Sequence, residues 1–319
     1  MNQKTKAYIA LGVVSFVWGT TYLAMRTGVQ HMPGLMLAAI RNTISGIIVI
    51  TWFLIKGYRI PDYKTLLRLG IIGVLLLGFG NGLMCWGEQT VPSGLASVLA
   101  AVNPMCMALF SLMLIRGTRL SPLVITGLIL GLAGIFIIFF PLLMAPLQTG
   151  LAFGAMLIVI GVLGWSSGSV YAAKQKISLN IFYACGWEFL LGGIALGIAS
   201  SLTGHTIPLA AIDKESWLSI AYLIALGSLV GYSAYQYALN HLPTAQVAIY
   251  GYINPIVALF LGWMVLHERL NGRIFIGALV TLAGIYLVQR SYNKVKRSLM
   301  QRIPEKKKSH LPRRVVLHK

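Results

Sequence analysis

The stretch AYIALGVVSFVWGTTYLAM, residues 7–25, carries no charged side chain. A helix rises 1.5 Å per residue, so about 20 apolar residues cross a hydrocarbon core roughly 30 Å thick. Runs of this kind recur at 7–27, 35–55, 67–87, 93–115, 121–140, 150–171, 179–202, 216–239, 244–267 and 272–290. Hydrophobic residues make up 57% of the 319 and charged residues only 10%, with a mean hydropathy of +0.78. A soluble domain carries about 25% charged residues, so this chain lacks the polar surface that water demands. The expectation is an all-α membrane protein with ten transmembrane helices. The runs do not alternate apolar and polar residues, which excludes a barrel.

The first run follows Lys4 and Lys6 and superficially resembles a secretory leader. It is longer than such a leader and ends without a small-x-small cleavage site, so it is read as a retained helix. Cys85, Cys106 and Cys185 all fall inside apolar runs without a CxxC pair, and are read as buried thiols. His267-Glu268 does not extend to HExxH, and no metal site is expected.

Lys and Arg mark the cytoplasmic side. Lys56, Arg59, Lys64 and Arg68 lie in the second-to-third connection, Arg116 and Arg119 in the fourth-to-fifth, and Lys174 and Lys176 in the sixth-to-seventh. The segment after Tyr292 holds ten Lys or Arg and one acid, Glu305. Both termini are therefore expected on the cytoplasmic side, with residues 291–319 forming a basic, disordered tail. The net charge of +19 reflects topology and attraction to anionic lipid rather than nucleic-acid binding. Arg269 and Arg273 fall on the opposite side in this plan.

The chain repeats itself. WGEQTVPSGLASVLAAVNPMCMALFSLMLI at 86–115 runs parallel to YALNHLPTAQVAIYGYINPIVALFLGWMVL at 237–266. GLILGLAG at 127–134 matches GALVTLAG at 277–284, and Trp18 matches Trp165. Residues 1–148 and 149–290 thus read as two five-helix copies. Five is odd, so the second enters the membrane inverted, an architecture of transporters with a site near the midplane at the repeat interface. Asn103-Pro104 and Asn254-Pro255 each lie about ten residues into a span, roughly 15 Å deep. Proline there frees a carbonyl one turn back, and two matched kinks at equal depth point to a gated central cavity.

The segments WGTTYLAMR at 18–26, AAIRN at 38–42, EQTVPSGLASVLAAVNP at 88–104 and INPIVALFLGWMVLHERL through TLAGIYLV at 253–288 resemble the ten-helix EamA branch of the drug/metabolite transporter superfamily. The branch's acidic residue before the tenth helix is matched by Glu268, but IRGTRLS at 115–121 has no counterpart. The resemblance implies alternating access by two five-helix halves, export of small organic solutes, a cavity lined by the first, third, fourth, sixth, eighth and ninth helices, and no cofactor.

Polar and aromatic side chains gather in those spans. Trp18, Thr21 and Tyr22 come from the first, Asn81 and Glu88 from one face of the third, and Asn103 from the fourth. Trp165 and Ser169 come from the sixth; Ser228, Tyr232, Tyr235 and Gln236 recur at helical spacing in the eighth. Gln246, Tyr250 and Asn254 come from the ninth. An aromatic, amide-bearing pocket suits amino acids or other amphipathic and aromatic metabolites. Trp86 and Tyr292, near span ends, are read as interface residues. Glu188 and Arg41 are ionisable groups within spans and so default functional candidates, Glu188 as a proton carrier and Arg41 as a gate or carbonyl-binding group. A nucleotide-sugar exchanger is the alternative within the superfamily, and an intramembrane enzyme the alternative from another class. The former wants more than one deep cation, and the latter a convergent nucleophile and base. The expected setting is a bacterial inner membrane, with a small-molecule substrate, the bilayer as partner and a monomer as the simplest unit.

Overall fold

A computed structural model describes residues 2–115, 120–144, 150–175, 177–257 and 272–302. Arg116, Arg119, Lys176, Glu268, Arg269, the second half of the ninth span and the tail from 303 lie outside the described residues, as does the Tyr292 side chain. The described chain is helical, with no strand among the described residues. Its elements are α1 Gln3–Gly28, α2 Gly34–Ile55, α3 Tyr63–Gly87, α4 Ser93–Ala100, α5 Asn103–Leu114 and α6 Pro122–Leu143. They are followed by α7 Leu151–Lys174, α8 Ile181–Leu202, α9 Lys214–His241, α10 Thr244–Val247, α11 over 250–257 and α12 Gly272–Arg302. Among the described residues seven helices are long and apolar enough to cross a membrane: α1, α2, α3, Leu95–Leu114 across α4 and α5, α7, α8 and α9. Shorter apolar stretches occupy Pro122–Ile138 and Gly272–Val288.

Helix starts follow capping chemistry. Asp62 opens α3 by accepting from the Thr65 amide at 3.2 Å and its hydroxyl at 2.6 Å, and Asp213 opens α9 by accepting from the Ser216 amide at 2.9 Å. The Thr65 hydroxyl and the Ser216 side chain, respectively, head the donors that hold these carboxyls below the usual carboxylate range. Any stability they add is present above the unfolded carboxylate pKa and is lost as pH falls through the folded one. Asn180 and Ser121 cap α8 and α6 in the same manner.

Small residues let the helices approach closely, as expected where lipid offers no hydrophobic drive for association. α2 packs on α8 with Gly46 against the Leu190 backbone: a Cβ at Gly46 would lie 2.5 Å from the Leu190 nitrogen. α6 packs on α12, where a Cβ on Gly127 would meet the Gly284 carbonyl at 2.7 Å.

Four departures from regular helix among the described residues shape the interior. The winding of α3 widens to an i→i+5 pattern over Val74–Gly82, and that of α9 over Leu223–Tyr232. Such wide turns are rare and cluster at functional sites. The third lies within the Leu95–Leu114 span, where the winding tightens to a turn at Ala101–Val102 and Pro104 sits in the first turn of α5. Proline is tolerated there because the early amides of a helix have no intrahelical acceptor. In the matching segment the turn falls at Ala248–Ile249, and Pro255 lies inside α11, removing the donor that the Gly251 carbonyl would otherwise meet.

Gly46→Val is expected to lower the melting temperature of the purified protein, overpacking costing about 1–3 kcal/mol. Gly12→Val, where an added Cβ meets nothing within 4 Å, is expected to leave it unchanged.

Candidate functional site

The irregular segments surround one cavity of about 90 Å³. Trp18, Thr21 and Tyr22 reach it from α1, Arg41 from α2, Asn81 from α3 and Asn103 from α5. Trp165 lines it from α7, Phe189 from α8, Tyr232 from α9, and Tyr250 and Asn254 from α11. At about 10–15 Å³ per water position it has room for roughly six to nine water-sized groups.

Its wall is a cluster of aromatic rings. Trp18 meets Trp165 edge-on at 5.2 Å and 82°, Tyr250 at 5.1 Å and 79°, and Tyr235 at 5.1 Å and 39°. The first two are the favoured edge-to-face geometry, and the third is tilted between stacked and edge-on. The Trp18 indole N–H donates to the Gly227 carbonyl at 3.0 Å, within the wide turns of α9. Gly231 faces the same ring, since a Cβ there would lie 2.5 Å from Trp18 Nε1.

The two asparagines act as braces. Asn103 Nδ2 donates to the Tyr250 hydroxyl at 2.9 Å, and its Oδ1 accepts from Ser166 at 2.6 Å. One side chain therefore ties α5, α7 and α11 together. The Asn254 amide, its nitrogen turned toward α1, donates to the Ser15 carbonyl at 2.8 Å and the Tyr250 carbonyl at 3.0 Å. On the far wall Asn42 donates to Asn81 at 3.2 Å.

Five residues expected on the cavity stand elsewhere. Tyr235 lies behind the wall and donates to Ser169 at 2.5 Å, and Ser169 donates to the Trp165 carbonyl at 2.6 Å. Gln246 donates to Tyr8 at 3.0 Å. Gln236 donates to Glu188 at 2.7 Å, and Tyr232 donates to the same carboxylate oxygen at 2.8 Å. Glu188 and Gln236 line a second cavity of about 40 Å³ with Gln175, Cys185 and Asn240. Tyr232 thus faces the first cavity and hydrogen-bonds a carboxylate that faces the second. Glu88 is fully buried, and its carboxylate oxygens have no partner among the described residues. Beside it Arg26 donates to the Glu88 and Gln89 carbonyls.

Trp86 packs on Phe153 and His205. Away from both cavities, His31, Asp213 and Glu215 bring ligand-type atoms within 4.8 Å of one another in a largely exposed cluster. Gly227, Gly231, Phe189 and Ser166 are site residues that polarity alone does not flag. The glycines carry no side-chain signal, and Ser166 becomes legible only by noting that it follows Trp165 where Gly19 follows Trp18.

Asn103→Leu is expected to cost about 1–3 kcal/mol by leaving the Ser166 and Tyr250 hydroxyls without this partner. Thermal unfolding of Asn103→Leu, Ser166→Ala and the double variant should show a coupling of about 0.5–3 kcal/mol.

Comparisons with known proteins place this geometry in context. The profile of the EamA-like transporter family matches residues 5–140 and again residues 152–290. The uncharacterized inner membrane transporter YedA of Escherichia coli K12 is 35% identical over 254 residues, covering 79% of this chain and 80% of its own. The uncharacterized transporter YoaV of Bacillus subtilis is 26% identical, covering 90% and 99%. The protein PecM of Dickeya dadantii is 25% identical, covering 86% and 89%. A crystal structure superposes with a TM-score of 0.71 at 18% identity, covering 88% of this chain and 96% of that one, a likeness of fold. The chain is a membrane protein and belongs to the EamA-like transporter family.

Proposed function

We propose that this chain exports small organic solutes, amphipathic or aromatic metabolites including amino acids, across a bacterial inner membrane by alternating access. The observation that carries the reading is the cavity itself: both family-matched segments line it, with Trp18 of the first against Trp165 and Tyr250 of the second. An aromatic wall with a few fixed polar groups is the usual form of a small-molecule site. Transport rather than catalysis is the role, and no cofactor takes part.

Residues 1–148 and 149–290 act as two inverted five-helix halves of a ten-span bundle, both termini cytoplasmic. Matched features support the duplication. Wide turns recur at Val74–Gly82 and Leu223–Tyr232, and Asp62 and Asp213 cap the helices that contain them. Ser166 bonds Asn103 as Gly19 packs on the Asn254 backbone. Rocking of the halves about this centre exposes the cavity to one side and then the other. The breaks near Pro104 and Pro255 serve as its hinges.

Glu188 couples transport to protons through Tyr232, which bonds it from the cavity wall. Purified protein in liposomes should move members of a labelled panel of amino acids and aromatic metabolites saturably, faster with a pH gradient. Glu188→Gln should lose the acceleration by the gradient. Saturable movement that ignores both gradient and substitution would leave a facilitator with a structural Glu188.

A further inference from the structure

Among the described residues Arg41 is a charge without a counter-charge. It is 6% exposed and, among the described residues lining the first cavity, it alone carries a formal charge. Its Nε donates to Ser228 Oγ at 2.9 Å, which fixes the plane of the guanidinium. Its terminal nitrogens have no acceptor among the described residues and are not sealed from the cavity. Guanidinium does not give up its proton in proteins. A buried charge left unpaired is costly, and proteins ordinarily match it with a partner or a ligand.

The surroundings hold the group open rather than neutralise it. A Cβ on Gly227 would lie 2.7 Å from Arg41 Nη2, so glycine at this point of α9 lets the guanidinium keep its place. The Gly227 carbonyl meanwhile accepts from Trp18. One wide turn therefore sets an indole and a two-pronged cation side by side. Neither buried acid among the described residues serves it. Glu188 is engaged by Tyr232 and Gln236, and Glu88 lies beside Arg26.

We propose that Arg41 anchors a carboxylate, and that the solutes carried are small apolar or aromatic carboxylates. The carboxylate pairs with the guanidinium fork, a geometry suited to two parallel hydrogen bonds, while the body lies among Trp18, Trp165, Tyr250 and Phe189. Among the described residues no lining carboxylate meets an ammonium, so a cationic amine is a poor ligand. A phosphate dianion leaves one charge unmatched. The inference rests on the reading of this cavity as the substrate site and names the class of solute it takes.

Benzoate, benzamide and benzylamine share a ring and differ in charge, and hexanoate supplies an aliphatic acid. Their binding to the purified protein in nanodiscs is read by calorimetry and by fluorescence of the cavity tryptophans. Benzoate and hexanoate should bind about ten- to hundredfold tighter than benzamide or benzylamine, the range for hydrogen bonds to a charged group. Arg41→Gln should abolish the preference, and Arg41→Lys should retain part of it, keeping the charge but not the fork. Saturating benzoate should raise the melting temperature of the wild type and not that of Arg41→Gln. Arg41→Gln without ligand should melt no lower than wild type, since it removes an unpaired buried charge.

No carboxylate preference in the wild type, its persistence in Arg41→Gln, or a marked loss of stability in Arg41→Gln would overturn the proposal. Flux of the same probes in liposomes separates the two ideas. Acids bound through Arg41 but not moved would contradict transport alone. Acids and neutral analogues moved equally, whatever stands at 41, would contradict the carboxylate anchor alone.

Discussion

The structure depends on one constraint: backbone that leaves regular helix inside a bilayer must be satisfied by protein or by a cavity. Among the described residues the chain departs from regular winding in four places, and all four border or adjoin the same space. The wide turns of α3 and α9, the break between α4 and α5 and the turn before α11 meet around Trp18, Asn103 and Tyr250. A carbonyl in the wide turns of α9 finds a side-chain donor, Gly227 receiving the Trp18 indole, while the Asn254 amide ties α11 to the Ser15 carbonyl of α1. The polar residues of the centre thus do two jobs at once, satisfying broken backbone and shaping a pocket.

This dual role explains what the sequence conveys and what it hides. Apolar run length gives helices and a membrane directly, and the Asn-Pro pairs mark the irregular centre. Trp18, Tyr22, Asn81, Asn103, Trp165, Tyr232, Tyr250 and Asn254 all reach the cavity from spans that the sequence reading selected. Helical spacing does not tell which of several polar residues on one span faces inward once winding changes. Asn81 and Glu88 share a face only in a regular helix, yet the turn pattern shifts at Gly82, and Glu88 ends beside Arg26 instead. Tyr235 and Gln236 likewise follow the wide segment of α9 and turn toward Ser169 and Glu188. Nor does the sequence give the residues at which the helix before Pro104 turns, Ala101–Val102.

The buried ionisable groups divide by their surroundings. Glu188 has two donors on one oxygen and faces a small second cavity, an arrangement suited to linking the two spaces through Tyr232. Arg41 has one fixed bond and two open prongs. Glu88 has no partner among the described residues for either oxygen. Position along the spans sets Glu88, at a span end, apart from Arg41 and Glu188, and only the partners separate those two.

The central claim is that the cavity between the halves opens to each side of the membrane in turn. Cysteine placed at Thr21, which lines the cavity at 5% exposure, tests it in a background with Cys85, Cys106 and Cys185 replaced. Membrane-impermeant thiol reagent is applied separately to right-side-out and inverted vesicles. Modification from both sides, slowed by a bound solute, is the result expected of alternating access. Modification from one side only, or from neither, would contradict it.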